Sequence, residues 1–261
     1  MKKTSFFTNK VTVSVLILLA CLVVDVALHR RMSRVILPSA FTNKRTPQSI
    51  EPCNAVLYSV SKHWVSHINS IEELAHVTNE MGGLQSNIFF NDSSKHFYIS
   101  PEISVDSFFN AIAAKSITAS VWLSISNLDS GNYKTALAEL SSLRNTYHLK
   151  DKIILTSSSA QYLSQFCDSG FYTGYQLPEF NPYSISEDSL INYIDIITNN
   201  LKKNKVSSIA CNYFQYPVVK KFFPNFPALT WTDKSYISLV SHYFNNHLEG
   251  DSQIKVVLYP Y

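Results

Sequence analysis

The chain is poor in glycine and in charged residues. Only six of its 261 residues are glycine, and 16% carry a charged side chain. It contains no glycine-rich phosphate loop, which disfavours a dinucleotide-binding fold. The net charge of +3 is small and dispersed. We therefore expect no nucleic-acid partner, because such proteins usually concentrate Lys and Arg on one surface.

Cysteine is also scarce, and its spacing does not indicate a metal site. The chain has four cysteines and no Cys-x-x-Cys pair. Cys21 lies in an N-terminal apolar run, and the remaining three, Cys53, Cys167 and Cys211, cannot all pair with one another. We expect Cys167 and Cys211 to be small buried hydrophobes. The cysteines alone do not settle the cellular compartment.

The longest apolar run lies close to the N-terminus. Residues 1–10 form a basic leader, and Val11 to Leu28 is apolar apart from two hydroxyl residues and one aspartate. This length is near the lower limit for crossing a bilayer. The sequence favours an uncleaved transmembrane helix and leaves open a cleaved signal. A third alternative is a lipoprotein that is lipidated at Cys21.

The residues that follow the run resemble a linker. Residues 29–55 carry polar residues and prolines without a sustained period, which predicts a tether to a domain over residues 56–261. Basic residues lie on both sides of the apolar run, and a positive-inside count would keep the domain in the cytoplasm. The short basic leader is more typical of export. We therefore expect a single-pass membrane protein with its domain on the extracytoplasmic side.

The domain alternates short apolar runs with longer helical patterns. Such repeated alternation predicts a parallel sheet covered by helices, and its number of units favours a closed (β/α)8 TIM-type barrel. Ser70, with Glu73 at the capping-box position, predicts a helix over residues 71–81. Asn91 to Lys95 predicts a tight turn and hence a local hairpin. Further strands are predicted to end near Ser66 and to cover residues 83–90, 97–100, 120–125, 152–157, 173–177, 207–211, 228–231 and 254–258. Further helices are predicted over residues 105–115, 133–147, 160–169, 186–203, 216–223 and 234–247.

The predicted strands end in polar and aromatic residues that are almost uncharged. Functional groups of such barrels lie at the carboxyl ends of the strands. The positions there include Gln85, Asn87, Ser124 and Tyr175, and Tyr175 could donate a hydrogen bond. His67 is the only side chain of the set that titrates near neutral pH. A general acid-base mechanism would therefore have to depend on His67.

Several segments in this order resemble one superfamily of barrel enzymes, the phosphatidylinositol-phospholipase-C-like and glycerophosphodiester-phosphodiesterase superfamily. The resemblance covers about residues 60 to 258. The segments that carry it are Ser66-His67-Ile68-Asn69-Ser70, the run from Val121 to Leu128, Ile153 to Ser157, Gly174 to Pro178, Tyr216 to Pro224 and Leu229-Thr230-Trp231.

The resemblance implies a site whose charged residues are replaced here by neutral ones. Such enzymes pair a His after the first strand with a Glu-x-Asp on the second, and add a second His and a Glu-x-Lys pair. His67 matches the first His. The carboxylates that would hold a cation correspond to Gln85 and Asn87. The remaining places correspond to Ser100 for the second His, to Ser124 and Ser126 for the Glu-x-Lys pair, and to Thr156 for a position that is often acidic.

These replacements predict a phosphodiesterase-like protein that is catalytically degenerate. Neutral ligands compensate the desolvation of a cation poorly, so we expect no metal or other cofactor, with weak binding of Ca²⁺ or Mg²⁺ as the alternative. We expect His67 to be the catalytic residue if any activity remains. The candidate binding residues, for a small phosphorylated or polar ligand or a partner protein, are Asn69, Gln85, Asn87, Ser124, Ser126 and Tyr175.

Two further functions stay open. One is an active phosphoric diester hydrolase with a rearranged metal site, for which Asp92 and His96 are the best candidates. The other is a structural scaffold of the envelope whose cavity is vestigial.

Overall fold

The structure, a computed structural model, describes residues 6–37, 41–232 and 238–261. Its strands are β1 (His63–Val65), β2 (Gly83–Asn91), β3 (His96–Ser100), β4 (Ile103–Ser104), β5 (Ser120–Ile125), β6 (Ile153–Ser157), β7 (Tyr172–Gln176), β8 (Ser208–Asn212), β9 (Ala228–Trp231) and β10 (Ile254–Tyr259). Its α-helices are α1 (Phe6–Leu28), α2 (Arg30–Ile36), α3 (Val105–Ala114), α4 (Tyr133–Thr146), α5 (Ala160–Asp168), α6 (Glu187–Lys203), α7 (Tyr216–Phe222) and α8 (Leu239–Gly250).

Eight of the strands close into a parallel barrel. The order runs β1-β10-β9-β8-β7-β6-β5-β2, and β1 also pairs with β2. The register places Trp64 beside Leu258 of β10 on one side and beside Gly83 of β2 on the other. Helices connect most successive barrel strands, so the predicted (β/α)8 barrel is confirmed.

The predicted hairpin is also present. β3 runs antiparallel to the end of β2, with Phe89 opposite Tyr98, and β4 pairs with β3. The Lys95 N–H donates to the Asn91 carbonyl at 2.8 Å, and Lys95 adopts a φ of 62°. The hairpin therefore extends β2 beyond the barrel wall without interrupting the ring.

Serine side chains begin three of the helices. Ser104, Ser186 and Ser238 each accept the backbone N–H three residues later, at the start of α3, α6 and α8. This is the usual way to satisfy an N–H group that has no partner inside the helix. The predicted helix over 234–247 begins at Leu239 in the structure, and Lys234 lies outside the described residues.

The predicted helix between the first two barrel strands is wrong. The structure has only a 3-10 helix from Glu73 to His76. The capping box itself forms, because Glu73 N donates to Ser70 Oγ and Ser70 N donates to Glu73 Oε2. Val77 is already extended, and the Gly82 N–H bonds the His63 carbonyl. The residues after the 3-10 helix are thus used to return the chain to the amino end of the barrel.

The barrel interior is filled by large side chains. Trp64 and Trp122 are fully buried beside Tyr172, and burial raises the pKa of Tyr172 to about 12. A Cβ atom at Gly83 would lie 2.5 Å from the Trp64 ring, so this position requires glycine. The other members of this interior cluster are Ile154, Ala210, Leu229, Val256 and Leu258. A second and larger apolar layer lies between the strands and the helices.

The segment predicted as a tether packs against the barrel over much of its length. Met32 and Val35 of α2 are buried, and α2 packs on α8. Arg45 forms a two-pronged ion pair with Asp195 of α6, at 2.9 and 2.7 Å. Gln48 N donates to the Phe222 carbonyl at the end of α7. The structure therefore shows a strap along the barrel where the composition predicted a flexible linker.

A disulfide bond joins this strap to the barrel. It links Cys53 to Cys167 of α5 across a sequence separation of 114 residues. Cys211 is free and buried, as predicted, whereas the prediction of a small buried hydrophobe at Cys167 needs correction. Beyond the disulfide, Ala55 and Leu57 pack against the interior cluster. The strap thus covers the amino end of the barrel.

Candidate functional site

A small cavity opens at the carboxyl ends of the barrel strands. Its volume is about 250 Å³. This is slightly below the usual range for small-molecule sites, which begins at about 300 Å³. Side chains from five of the strands and from the loop after β1 line it: His67, Gln85, Asn87, Trp122, Ser124, Gln176, Trp231 and Leu258.

Gln85 is the centre of the hydrogen bonds in this cavity. It is buried on β2, and its Oε1 accepts the backbone N–H of His67 at 3.0 Å. Its Nε2 donates to Asn87 Oδ1 at 3.0 Å and to Ser124 Oγ at 3.4 Å. Gln85 and Asn87 lie on one face of β2 because strand side chains alternate with a period of two. The two amides therefore satisfy each other where two carboxylates would need a cation between them.

The same network continues into the barrel interior. Trp122 Nε1 donates to Thr156 Oγ1 at 2.8 Å, and Thr156 Oγ1 donates to Ser124 Oγ at 3.1 Å. These hydroxyl and amide groups connect the apolar interior cluster to the cavity. All of them are neutral, so the network orients side chains without placing a charge in the barrel.

His67 stands on a turn with a left-handed backbone. Its φ is 60°, a conformation that a residue other than glycine seldom adopts. On one side the turn is held by Gln85, and on the other Glu73 Oε2 accepts the N–H groups of Asn69 and Ser70. The His67 side chain itself is exposed at the cavity rim. A strained turn of this kind is common where a side chain is presented to a ligand.

Among the residues that the structure describes, the cavity lining carries no carboxylate. His67 is the only histidine among the described lining residues, which include no Lys or Arg. Throughout the described ranges, no group of three or more His, Cys, Asp or Glu residues is arranged to hold a metal ion. His96 pairs with Glu139 of α4 at 2.8 Å, and neither His96 nor Asp92 lines the cavity. Neutral hydrogen bonds, two indole rings and one imidazole are therefore the chemistry that these residues offer.

The structure brings together four of the seven predicted site residues. His67, Gln85, Asn87 and Ser124 line one cavity. Asn69 is exposed, and its backbone N–H donates to Glu73. Ser126 is also exposed, and its hydroxyl donates to the Ile88 carbonyl. Tyr175 points the other way, into the layer between strands and helices, where its hydroxyl accepts a hydrogen bond from Asn200 of α6. These three do not line the cavity.

Sequence reasoning missed Gln176, which lines the cavity in the place expected for Tyr175. Gly174 could have indicated which face of this strand turns inward. A Cβ atom there would lie 2.9 Å from Thr156 Cγ2 and 3.0 Å from Leu229 Cδ1, inside the barrel. Gly174 therefore faces the barrel interior, and Gln176, two residues further along the strand, faces the same way. The Gln176 side chain has no hydrogen-bond partner among the described residues, so its amide is available to a ligand.

The comparisons with known proteins support the fold. No protein-family model matches the chain, and no curated protein matches it. A glycerophosphodiester phosphodiesterase from Parabacteroides distasonis has a similar structure, with a TM-score of 0.50 at 10% identity, over 77% of this chain and 93% of the other.

Two further solved structures assigned to the same enzyme class are similar. One, from Galdieria sulphuraria, has a TM-score of 0.51 at 10% identity over 79% of this chain and 95% of the other. The other, from Silicibacter pomeroyi, has a TM-score of 0.51 at 9% identity over 78% of this chain and 91% of the other. The predicted resemblance is thereby confirmed at the level of the fold: the chain has a (β/α)8 barrel like that of the glycerophosphodiester phosphodiesterases.

Proposed function

We propose that this protein is a membrane-anchored, phosphodiesterase-like barrel that binds a small polar or phosphorylated ligand at its mouth without efficient turnover. One observation carries the proposal. The hydrogen bond from Gln85 Nε2 to Asn87 Oδ1 occupies the place where the resemblance puts two cation-binding carboxylates.

The chemistry of the lining supports a binding role. Ca²⁺ and Mg²⁺ are hard cations that depend on carboxylate oxygens to offset their lost hydration. The side-chain oxygens that the described residues place in the cavity belong to amides and a hydroxyl, and several of these are already engaged in hydrogen bonds. A single imidazole also leaves proton transfer without a second group. Loss of one acid-base group alone typically lowers a rate by about 10²- to 10⁴-fold.

Calorimetric titration with Ca²⁺ and Mg²⁺ tests the proposal. We expect no saturable binding to the wild-type protein and a gain of binding in the double variant Gln85→Glu/Asn87→Asp. The matched control is Asn145→Asp/Gln161→Glu, which adds the same charge on the exposed faces of α4 and α5. Wild-type binding that His67→Ala abolishes would contradict the proposal and favour an active hydrolase.

Ligand binding and turnover are measured separately. A glycerophosphodiester and sn-glycerol 3-phosphate serve as probes, followed by the chemical shifts of the Trp122 and Trp231 indole groups at the cavity. We expect shifts that saturate and that weaken in Gln176→Ala, with no released product. Multiple turnovers by the purified protein would overturn the proposed degeneracy.

The anchor and the compartment belong to the same proposal. Val11–Leu28 forms a single helix that is long enough and apolar enough to span a membrane, with a mean hydropathy of 2.8. A signal sequence has the same properties. The Cys53–Cys167 disulfide supports an oxidising, extracytoplasmic location. Protease digestion of intact cells should therefore remove the barrel domain. Digestion only after lysis would place the domain in the cytoplasm.

A further inference from the structure

The last turn of α1 is docked on the barrel at a defined place. Asp25 Oδ2 accepts the backbone N–H of Val240 in the first turn of α8, and Asp25 also pairs with His29 at 2.9 Å. α8 follows β9, so its first turn lies at the carboxyl-end face of the barrel. The apolar helix therefore leaves the domain on the same face as the cavity.

A basic cleft lies beside this junction. Its volume is about 690 Å³, and it is formed by the end of α1, by α2 and by the loops after β7 and β8. Arg30, Arg31 and Arg34 contribute to its lining, together with Asn181 and Tyr213. Within the described ranges, no Asp or Glu lines the cleft and none of the three arginines forms an ion pair.

Two of the arginines are placed by aromatic rings. The Arg31 guanidinium lies 5.9 Å from the Phe214 ring, and the Arg34 guanidinium lies 5.4 Å from the Tyr183 ring. Tyr183 also donates its hydroxyl to the Arg34 carbonyl at 3.2 Å. Cation–π contacts of this kind hold the guanidinium group while its N–H donors remain available, and such donors match the oxygens of a phosphate.

The outer surface next to the cleft is apolar. Leu239 is 73% exposed and Tyr243 is 61% exposed, and they lie one turn apart on the first half of α8. Leu28, which lines the cleft, is 75% exposed. Apolar and tyrosine side chains beside basic ones are typical of a protein surface that rests on a bilayer.

We propose that the mouth of the barrel faces the membrane and that the cleft at Arg30, Arg31 and Arg34 binds the phosphate of an anionic lipid headgroup. The orientation rests on α1 as the proposed membrane anchor, because its docked end fixes which face turns to the bilayer. The three arginines, which form no ion pair with a described residue, supply the positive charge that attracts an anionic headgroup. The proposal does not rest on the nature of the cavity ligand. It has one consequence for that ligand, namely that it enters from the membrane surface.

The orientation is tested with the full chain in lipid nanodiscs. A fluorophore is attached in a Cys21→Ser background either at Ser126→Cys, on the mouth face, or at Lys203→Cys, at the amino-end face. Lipids with a quencher on the headgroup should quench the mouth label several-fold more strongly. Equal quenching at both positions, or stronger quenching at Lys203→Cys, would overturn the orientation, as would a mature chain cleaved before Arg30.

The headgroup site is tested by measuring amide hydrogen exchange of the protein in the same nanodiscs. Phosphatidylglycerol in a phosphatidylcholine bilayer should slow exchange in α2 and in the loop after β7. The variant Arg30→Gln/Arg31→Gln/Arg34→Gln should lose this protection, because each basic residue near a surface contributes about fivefold to binding. The matched control removes three lysines from the amino-end face, Lys150→Gln/Lys202→Gln/Lys203→Gln, and should keep it.

Inorganic phosphate distinguishes a lipid from a soluble anion. Added to pure phosphatidylcholine nanodiscs at millimolar concentration, it should leave exchange in α2 unchanged. Protection by phosphate equal to that by phosphatidylglycerol would contradict a lipid site. Equal protection in the triple arginine variant and in the wild type would also contradict it.

Discussion

The two ends of the barrel interior differ in polarity and in packing. The amino end holds Trp64 and Tyr172 against a strap that is fixed by a disulfide. The carboxyl end holds a cavity lined by three amides, one hydroxyl, one imidazole, two indole rings and Leu258. Close packing supplies stability, whereas a cavity that keeps polar groups available gives up packing. We therefore expect changes at the amino end to alter unfolding and changes at the mouth to alter binding.

The largest expected effect is that of Trp64→Ala at the amino end. The ring is fully buried, and its Nε1 donates to Ser59 Oγ at 3.0 Å and to the Ser61 carbonyl at 3.1 Å. Its removal should lower the free energy of unfolding by about 3–5 kcal/mol in urea denaturation. Trp64→Phe should lower it by less. A small effect of both would mean that the amino end is not the stabilising half.

Loss of the disulfide should have the next largest effect. Cys53→Ser frees a strap that closes a long loop, and we expect a loss of about 2–4 kcal/mol in the free energy of unfolding. The measurement is urea denaturation with and without reductant. Reductant should destabilise the wild type to the level of the variant. Cys21→Ser is the control, since Cys21 is free and exposed, and it should match the wild type.

Gln85→Ala tests whether the hydrogen bonds of Gln85 hold the residues at the barrel mouth in place. The change leaves the His67 N–H, Asn87 and Ser124 without their amide partner, which should lower the free energy of unfolding by about 1–3 kcal/mol. It should also speed hydrogen exchange at His67 and weaken ligand binding. The exposed Gln161→Ala should do neither. If Gln85→Ala left exchange at His67 unchanged, Gln85 would not hold the turn.

The smallest expected effect is a pH dependence of the turn that carries His67. The Tyr261 hydroxyl and the Asn69 N–H, which both donate to Glu73, hold the pKa of this carboxyl below its ordinary value of 4.5. Because the folded pKa is lowered, the stabilisation is complete above 4.5 and is lost as the pH falls through the folded value. Amide exchange of Asn69 should then increase.

Two variants check the role of Glu73. Glu73→Gln should remove this acid dependence, and Tyr261→Phe should move the transition toward higher pH. An unchanged transition in both variants would assign it to another group.

Much of the fold could be predicted because it is encoded locally. β5 and β6 are apolar runs whose ends match the prediction within a residue, and Ser186 marks the start of α6 through its own hydrogen bond. The segment after Ser70 shows the limit of local signals. Its capping box forms as predicted, but the distance that the chain must cover to Gly83 shortens the helix to one 3-10 turn.

The site was predicted less completely because it depends on which face each strand turns inward. Gln85 and Asn87 were found because they lie two residues apart. Tyr175 was chosen in place of Gln176, an error of one residue that reverses the direction of the side chain. The disulfide could not be predicted for a different reason, because Cys53 meets Cys167 only where the strap crosses the barrel.

The sequence by itself determined the alternation of strands and helices, the apolar N-terminal helix and the missing charge near His67, because each follows from residue type and local period. Only the tertiary structure decided that Gln85 and Asn87 bond each other, that the strap covers the amino end, and that α1 leaves from the mouth face. The strap and α1 contact residues far from them in the chain, and the face of β2 that carries Gln85 and Asn87 turns inward only when the barrel closes.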